Sequence, residues 1–145
     1  MTIHVKRTNP CSILPRYATG GAAGMDLSAC LMEEPITLAP GERALVSTGI
    51  AMAVPPQHVG LVFARSGLAV KRGIALSNGV GVIDSDYRGE VKIGLINLGS
   101  EAATIRHGER IAQMVILPVV QANPIEVEEL TDTERGIGGF GSTGL

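Results

Sequence analysis

Tryptophan is absent from this 145-residue chain, and aromatic residues make up only 3% of it. That scarcity removes the platforms on which single-stranded nucleic acid stacks and leaves the core to aliphatic side chains. Cationic excess is missing too: 12 Lys and Arg stand against 14 Asp and Glu, a formal charge of −2. With no basic field to attract phosphate backbones or anionic lipid, nonspecific nucleic-acid and membrane-surface binding are set aside. Long apolar runs are also lacking. The longest, "MVILPVV" from Met114 to Val120, contains Pro118 and is far too short to span a bilayer. The opening "MTIHVKRTNP" holds no apolar stretch of the kind a secretion signal needs. Cys11 and Cys30 each lack a near neighbour of their kind, so free thiols are expected in place of a disulfide or metal pair. His4, His58 and His107 share no ligand spacing, which argues against a protein-held zinc. Together these absences point to a reducing aqueous compartment, the cytoplasm.

What is present is β-branched. Thirteen Val, thirteen Ile and nine Thr, punctuated by 19 Gly and 8 Pro, read as short strands joined by turns. "ITL" and "RALV" flank the turn "APGE"; "HVGLVFA" runs into Arg65; "GVGVID" and "GEVKIGLIN" flank "SDYR"; "ATI" and "RIAQMVILPVV" flank "RHGE". No three-to-four-residue apolar period persists over a dozen positions, so long helices are excluded. Only Ser66 to Gly73 suits a turn or two of helix, with Ser66 as its N-cap. The predicted class is all-β, of sandwich, jelly-roll or barrel type, in one domain. After Pro124 the texture becomes acidic and then glycine-rich. Residues 1–124 are therefore expected to form the β domain, and residues 125–145 a strap leading to a mobile arm.

Four stretches carry candidate chemistry. In "GVIDSDYRGE", Asp84 follows an apolar pair at the mouth of an expected hairpin, where desolvation suits a general base; turn-building explains the same residues. In "ARSGLA", Arg65 and the amides of Ser66 and Gly67 form an anion seat, or an ordinary cap. In "AGMDLSA", Asp26 lies in an apolar stretch and needs a cationic partner; a structural ion pair is the preferred reading. The tail "RGIGGFGSTGL" contains G-x-G-x-x-G, but no βαβ unit surrounds it, so a dinucleotide fold is rejected. Its glycine amides, Ser142 and Thr143 could still hold an anion, Arg135 could fork onto phosphate oxygens, and Phe140 could stack on a ring; an unordered terminus explains the tail equally well.

In order, "AGMDLSA", "ARSGLA", "NGVGVIDSDYRGE", "GERIAQM" and "RGIGGFGSTG" resemble the five motifs of the trimeric deoxyuridine triphosphate nucleotidohydrolases, the dUTPases. The resemblance spans Ala23 to Gly144. It implies a jelly-roll homotrimer with sites at subunit interfaces, and hydrolysis of dUTP to dUMP and pyrophosphate by water attack on the α-phosphorus. On that likeness Asp84 is the base, while Arg65, Ser66 and Gly67 grip phosphates. Gln113 supports the phosphate end or a water of the metal shell. Mg²⁺ is held by triphosphate and water with no direct protein ligand. Asn78, Gly81, Val82 and Ile83 read uracil from a hairpin, Tyr87 excludes a 2′-hydroxyl, and Lys92 adds a contact. Asp26 supports from behind. Arg135, Phe140, Gly141, Ser142 and Thr143 form a lid that closes over nucleotide. Arg88 is assigned no role. The rivals are a dCTP deaminase or bifunctional relative of the same fold, and a nucleotide-sensing binding module.

Overall fold

The computed structural model describes residues 1–139. Eleven strands and one helix follow in order: β1 (His4–Arg7), β2 (Arg16–Tyr17), β3 (Met25–Ser28), β4 (Ile36–Leu38), β5 (Arg43–Ala53), β6 (His58–Ala64), α1 (Ser66–Arg72), β7 (Ile74–Leu76), β8 (Gly81–Ile83), β9 (Glu90–Asn97), β10 (Ala103–Ile105) and β11 (Arg110–Pro118). One sheet runs β1-β5-β9-β7, the other β2-β3-β11-β6-β8, and β10-β4 makes a short ribbon. The expected all-β, jelly-roll-like class with one short helix is what the chain adopts. Among the described residues no helix is long and apolar enough to cross a membrane.

Alternation on the strands builds the core. Val91, Ile93 and Leu95 of β9 are buried, as are Val62 of β6 and Ile111, Ala112 and Met114 of β11. Leu27, Val46, Ile50, Met52, Ile74 and Ile105 complete an interior with no aromatic ring among its buried members. Cys30 is buried and Cys11 exposed, both as thiols. Burial pushes the Cys30 thiol up from its ordinary range, with Cys11 and Glu90 adding to the shift.

The hairpin expected around Asp84 is not formed, and its turn instead passes the chain between sheets. β8 pairs with β6, while β9 pairs with β5 and β7, so the "SDYR" segment joins two sheets. The expected hairpin from Asn78 to Asp84 is likewise absent: it is the crossover from β7 in one sheet to β8 in the other. The strands flanking the turns "APGE" and "RHGE" likewise belong to different ladders: among the described residues β4 pairs with β10, and β11 with β3 and β6. Alternation of period two reveals that a strand has one buried face. It does not reveal which sheet the strand joins.

Two glycines are imposed by geometry. Gly73 stops α1 in the left-handed region at φ 66°, and any Cβ there would overlap the Gly99 backbone. Gly49, also at φ 66°, sits in an irregularity of β5 between Ser47 and Ala51; its amide donates to Glu90 Oε1 at 2.8 Å. Asn97, at the end of β9, is 0% exposed. Its Nδ2 donates to the carbonyls of Leu38 (2.9 Å) and Glu101 (2.8 Å), and its Oδ1 accepts from the Gly99 amide (2.9 Å). Asn97→Ala leaves three backbone groups unpaired, that of Leu38 buried and those of Gly99 and Glu101 nearer the surface, and is expected to cost about 1–3 kcal/mol. Denaturant unfolding should show a lower midpoint with an unchanged slope.

Candidate functional site

Arg65 stands where β6 ends and α1 begins. Its backbone is extended (φ −90°, ψ 131°), and its carbonyl accepts the amides of Leu68 (3.1 Å) and Ala69 (3.0 Å). Arg65 therefore occupies the cap position, Ser66 is the first helical residue, and no side chain caps the helix. This corrects the expectation that Ser66 is the N-cap. The extended strand runs directly into the helix, so the last strand residue's successor supplies the cap. Ser66 and Gly67 are exposed, and their first-turn amides have no intrahelical acceptor.

Asp26 of β3 holds the guanidinium. Its Oδ1 lies 2.9 Å from Arg65 Nε, and its Oδ2 accepts from Arg110 Nη1 at 3.0 Å. Arg65 Nη1 also donates to the Arg110 carbonyl at 3.3 Å. The Asp26 side chain is 10% exposed, against 25% for Arg65 and 45% for Arg110. The expected ion pair is thus a triad in which one nearly buried carboxylate is shared by two half-open cations. Register brings Gln113 of β11 opposite both Asp26 and Phe63 of β6. Gln113 Nε2 donates to the Ala64 carbonyl at 3.1 Å, while Oε1 lies beside Gly24, where a Cβ would stand 2.9 Å away. Asp26, Arg65, Ser66 and Gln113 line one cavity of about 430 Å³.

Asp84 belongs to another. With Val82, Ile83, Tyr87, Lys92, Leu45 and Glu90 it lines a cavity of about 450 Å³. Asp84 follows the last ladder residue of β8, its carbonyl accepts the Tyr87 amide at 3.2 Å, and its side chain is exposed. The desolvated base expected from the apolar pair before it is not realised within one chain. Ladder pairing ends at Ile83, and among the described residues no element covers the next one. Asn78 is exposed, with its Nδ2 3.8 Å from where a Gly81 Cβ would stand; neither residue lines the cavity.

The two cavities are held apart by β6. Ile83 is opposite Gly60, and the antiparallel sense carries Asp84 onward, away from Arg65. Gly60 and Arg65 are themselves roughly 16 Å apart along an extended strand. Arg135 joins neither cavity: it lies exposed in a turn, with Nε donating to the Gly138 carbonyl at 2.8 Å. Phe140, Gly141, Ser142 and Thr143, read as lid residues, lie outside the described residues. Arg110, Leu45 and Glu90 are neighbours that sequence reasoning left unassigned. Arg110 and Glu90 stand inside quoted motifs, whereas nothing in the sequence marks Leu45. A larger depression of about 920 Å³, lined by Lys71, Arg72, Arg106, His107 and Glu109 among others, contains none of the expected residues. Among the described residues no three His, Cys, Asp or Glu side chains gather as a metal site.

Comparison with known proteins adds the lineage. The family model described as dUTPase matches residues 11–144. The deoxyuridine 5'-triphosphate nucleotidohydrolase of Anaeromyxobacter sp. (strain Fw109-5) is 55% identical over 99% of this chain and 98% of its own. Its namesake from Desulfotalea psychrophila is 55% identical over 91% of this chain and 87% of its own. A solved variant of the Staphylococcus bacteriophage 80alpha dUTPase with dUpNHpp superposes with a TM-score of 0.89 at 28% identity, covering 99% of both chains. A phage phi11 dUTPase, solved to reveal the coordination of a structural Mg(II) ion, shares the fold at 24% identity with a TM-score of 0.81, over 91% of this chain and 100% of its own.

The shared carboxylate sets an order of stabilities. Asp26→Ala strands two cations side by side and is expected to cost about 1–3 kcal/mol, discounted because both arginines reach solvent. Arg110→Ala leaves the Arg65–Asp26 pair intact and should cost less. Thermal unfolding of both variants checks the ranking.

Proposed function

The chain belongs to the dUTPase family, and from that premise we propose how its residues hydrolyse dUTP to dUMP and pyrophosphate. Water adds to the α-phosphorus, its oxygen forming the new P–O bond as the bond to the bridging oxygen breaks and pyrophosphate departs. Asp84 accepts the water's proton. Arg65 presents the part of its fork that Asp26 and the Arg110 carbonyl leave uncommitted to the phosphates. The Ser66 hydroxyl and the amides of Ser66 and Gly67 complete the grip. Asp26 acts by holding Arg65 in place.

The observation that carries this reading is the separation along β6. One chain holds Asp84 and Arg65 in different cavities at opposite ends of a strand. A base and a phosphate grip so placed cannot serve the same α-phosphate. The separation supports a homotrimer in which Asp84 and Tyr87 of one subunit face Arg65, Ser66 and Gln113 of another. Assembly would also cover Asp84, supplying the desolvation that the single chain lacks.

Uracil would be read by backbone groups of Gly81, Val82 and Ile83 and by the Asn78 amide, from the crossover into β8. Cytosine exchanges an acceptor for a donor at position 4 and would leave such groups unpaired. Thymine's methyl would meet the backbone. Tyr87 stands against the sugar, and Lys92 lines the same cavity. Residues 125–145 act as the strap and closing arm, with Arg135 on the outer phosphate, Phe140 on the base, and Gly141, Ser142 and Thr143 along the phosphates.

The donors in the Arg65 cavity suit a metal carried in by substrate. Its single carboxylate, Asp26, has both oxygens committed to arginines, so Mg²⁺ would ride on triphosphate oxygens and water, with Gln113 Oε1 accepting from one such water. When bound, the ion neutralises charge on the departing pyrophosphate. Free thiols at Cys11 and Cys30 support a cytoplasmic setting.

Pyrophosphate release from dUTP, dTTP, dCTP and UTP tests the reading. Turnover of dUTP alone is expected, and Asp84→Asn should reduce it at least about a hundredfold with binding retained. Ammonia from dCTP, or an active Asp84→Asn variant, overturns it. A chain ending at Glu134 should assemble normally and lose most of its activity. Full activity in that truncation removes the role given to the arm.

A further inference from the structure

Gly89 has no conformational reason to be glycine. Its φ is not positive, and the residue is exposed. What demands the missing side chain is the neighbouring ring: a Cβ on Gly89 would overlap Tyr87 Oη and approach Cζ to 2.6 Å and Cε2 to 3.0 Å. Those three nearest atoms all belong to Tyr87, and none is backbone. The tyrosine therefore folds back along its own chain and lies on the bare glycine. Its hydroxyl donates to the Glu90 carbonyl at 2.9 Å.

That anchor is rigid. Glu90 begins β9, and its Oε1 accepts from the Gly49 amide at 2.8 Å and from the Ser47 hydroxyl. The loop backbone between Asp84 and Glu90 is braced as well, since Arg88 Nη1 donates to the carbonyls of Ser85 (2.7 Å) and Tyr87 (2.8 Å). The ring is the loose part: Tyr87 is 42% exposed, and away from the glycine its side-chain torsions are free to choose other rotamers. It also lines the cavity that contains Asp84.

We propose that Gly89 is a positioning residue that seats the Tyr87 ring and thereby sets the discrimination between deoxyribose and ribose substrates. The inference rests on the reading of Tyr87 as the wall against the sugar. A methyl at position 89 is carried on a braced backbone and meets only a movable ring among its nearest atoms, so the ring yields. Moving an exposed side chain leaves the fold intact. It also takes the hydroxyl off the Glu90 carbonyl and opens the space that a 2′-hydroxyl would need.

The experiment measures kcat/KM for dUTP and UTP in the wild type, Gly89→Ala, Tyr87→Ala, the double variant and Tyr87→Phe, with thermal midpoints alongside. Gly89→Ala is expected to raise UTP use relative to dUTP by about tenfold or more, a displacement of ångström scale at a reacting site being sufficient for that. Its midpoint should stay near that of the wild type. In the Tyr87→Ala background the same substitution should change nothing, because the ring through which it acts is gone. Tyr87→Phe, which keeps the ring and loses its anchor, should shift the ratio the same way by less. A Gly89→Ala variant that lowers both substrates equally, or adds its effect to Tyr87→Ala, overturns the inference while leaving the sugar wall standing. If Tyr87→Ala itself leaves the ratio unchanged, the sugar-wall reading fails and the inference falls with it.

Discussion

A hydrogen-bonded ladder admits one spacing, and in this protein that spacing keeps Arg65 and Asp84 at opposite ends of β6. The strand pairs with β11 along one edge and with β8 along the other, from Gly60 to Val62. Neither register can slip by one residue without turning the buried Val62 and Met114 out of the core. The separation of the two half-sites is therefore as stable as the core itself. Chemistry that used both ends would join them from different copies, which is what the proposed trimer would supply.

Within each half-site the side chains are fixed by a different kind of force. At Asp26 it is charge: a carboxylate with little solvent of its own holds two guanidiniums, and the cost of desolvating it is offset by both. Arg65 thus arrives at the cavity already oriented, with part of its fork free. Around Tyr87 the determinants are shape and backbone hydrogen bonds. Glu90 ties β9 to the irregular turn of β5 at Gly49, Arg88 braces the intervening loop, and the ring lies on Gly89. An exposed aromatic is thereby given a seat without being buried.

Much of this was legible in the residues. β-branched content and turn punctuation give the all-β class, and the break at Gly73 ends the one helix where expected. Asp26 lies in an apolar run, which calls for a cation, and the chain supplies two. Less legible was pairing. The segment from Asn78 to Asp84 reads in sequence as a hairpin, yet it holds the single strand β8, and the strand before it, β7, lies in the other sheet. Ser66 has the chemistry of a cap, but Arg65 holds the cap position because β6 remains extended through it. The exposure of Asp84 was also invisible, since an apolar pair before a carboxylate predicts burial only if something covers the next residue.

By itself the sequence determined what depends on near neighbours: strand periodicity, turn residues, the helix stop, and which side chains could bear charge, accept a proton or bind an anion. These are local matters of backbone sterics and functional-group chemistry, readable over a few positions. Only the tertiary structure decided which strands share a ladder, that Arg65 and Arg110 share Asp26, and that Asp84 and Arg65 lie apart. Such outcomes depend on contacts between residues tens of positions distant. Each strand's buried face could be satisfied in either sheet, and packing of the whole core selects one arrangement among many that local pattern allows equally.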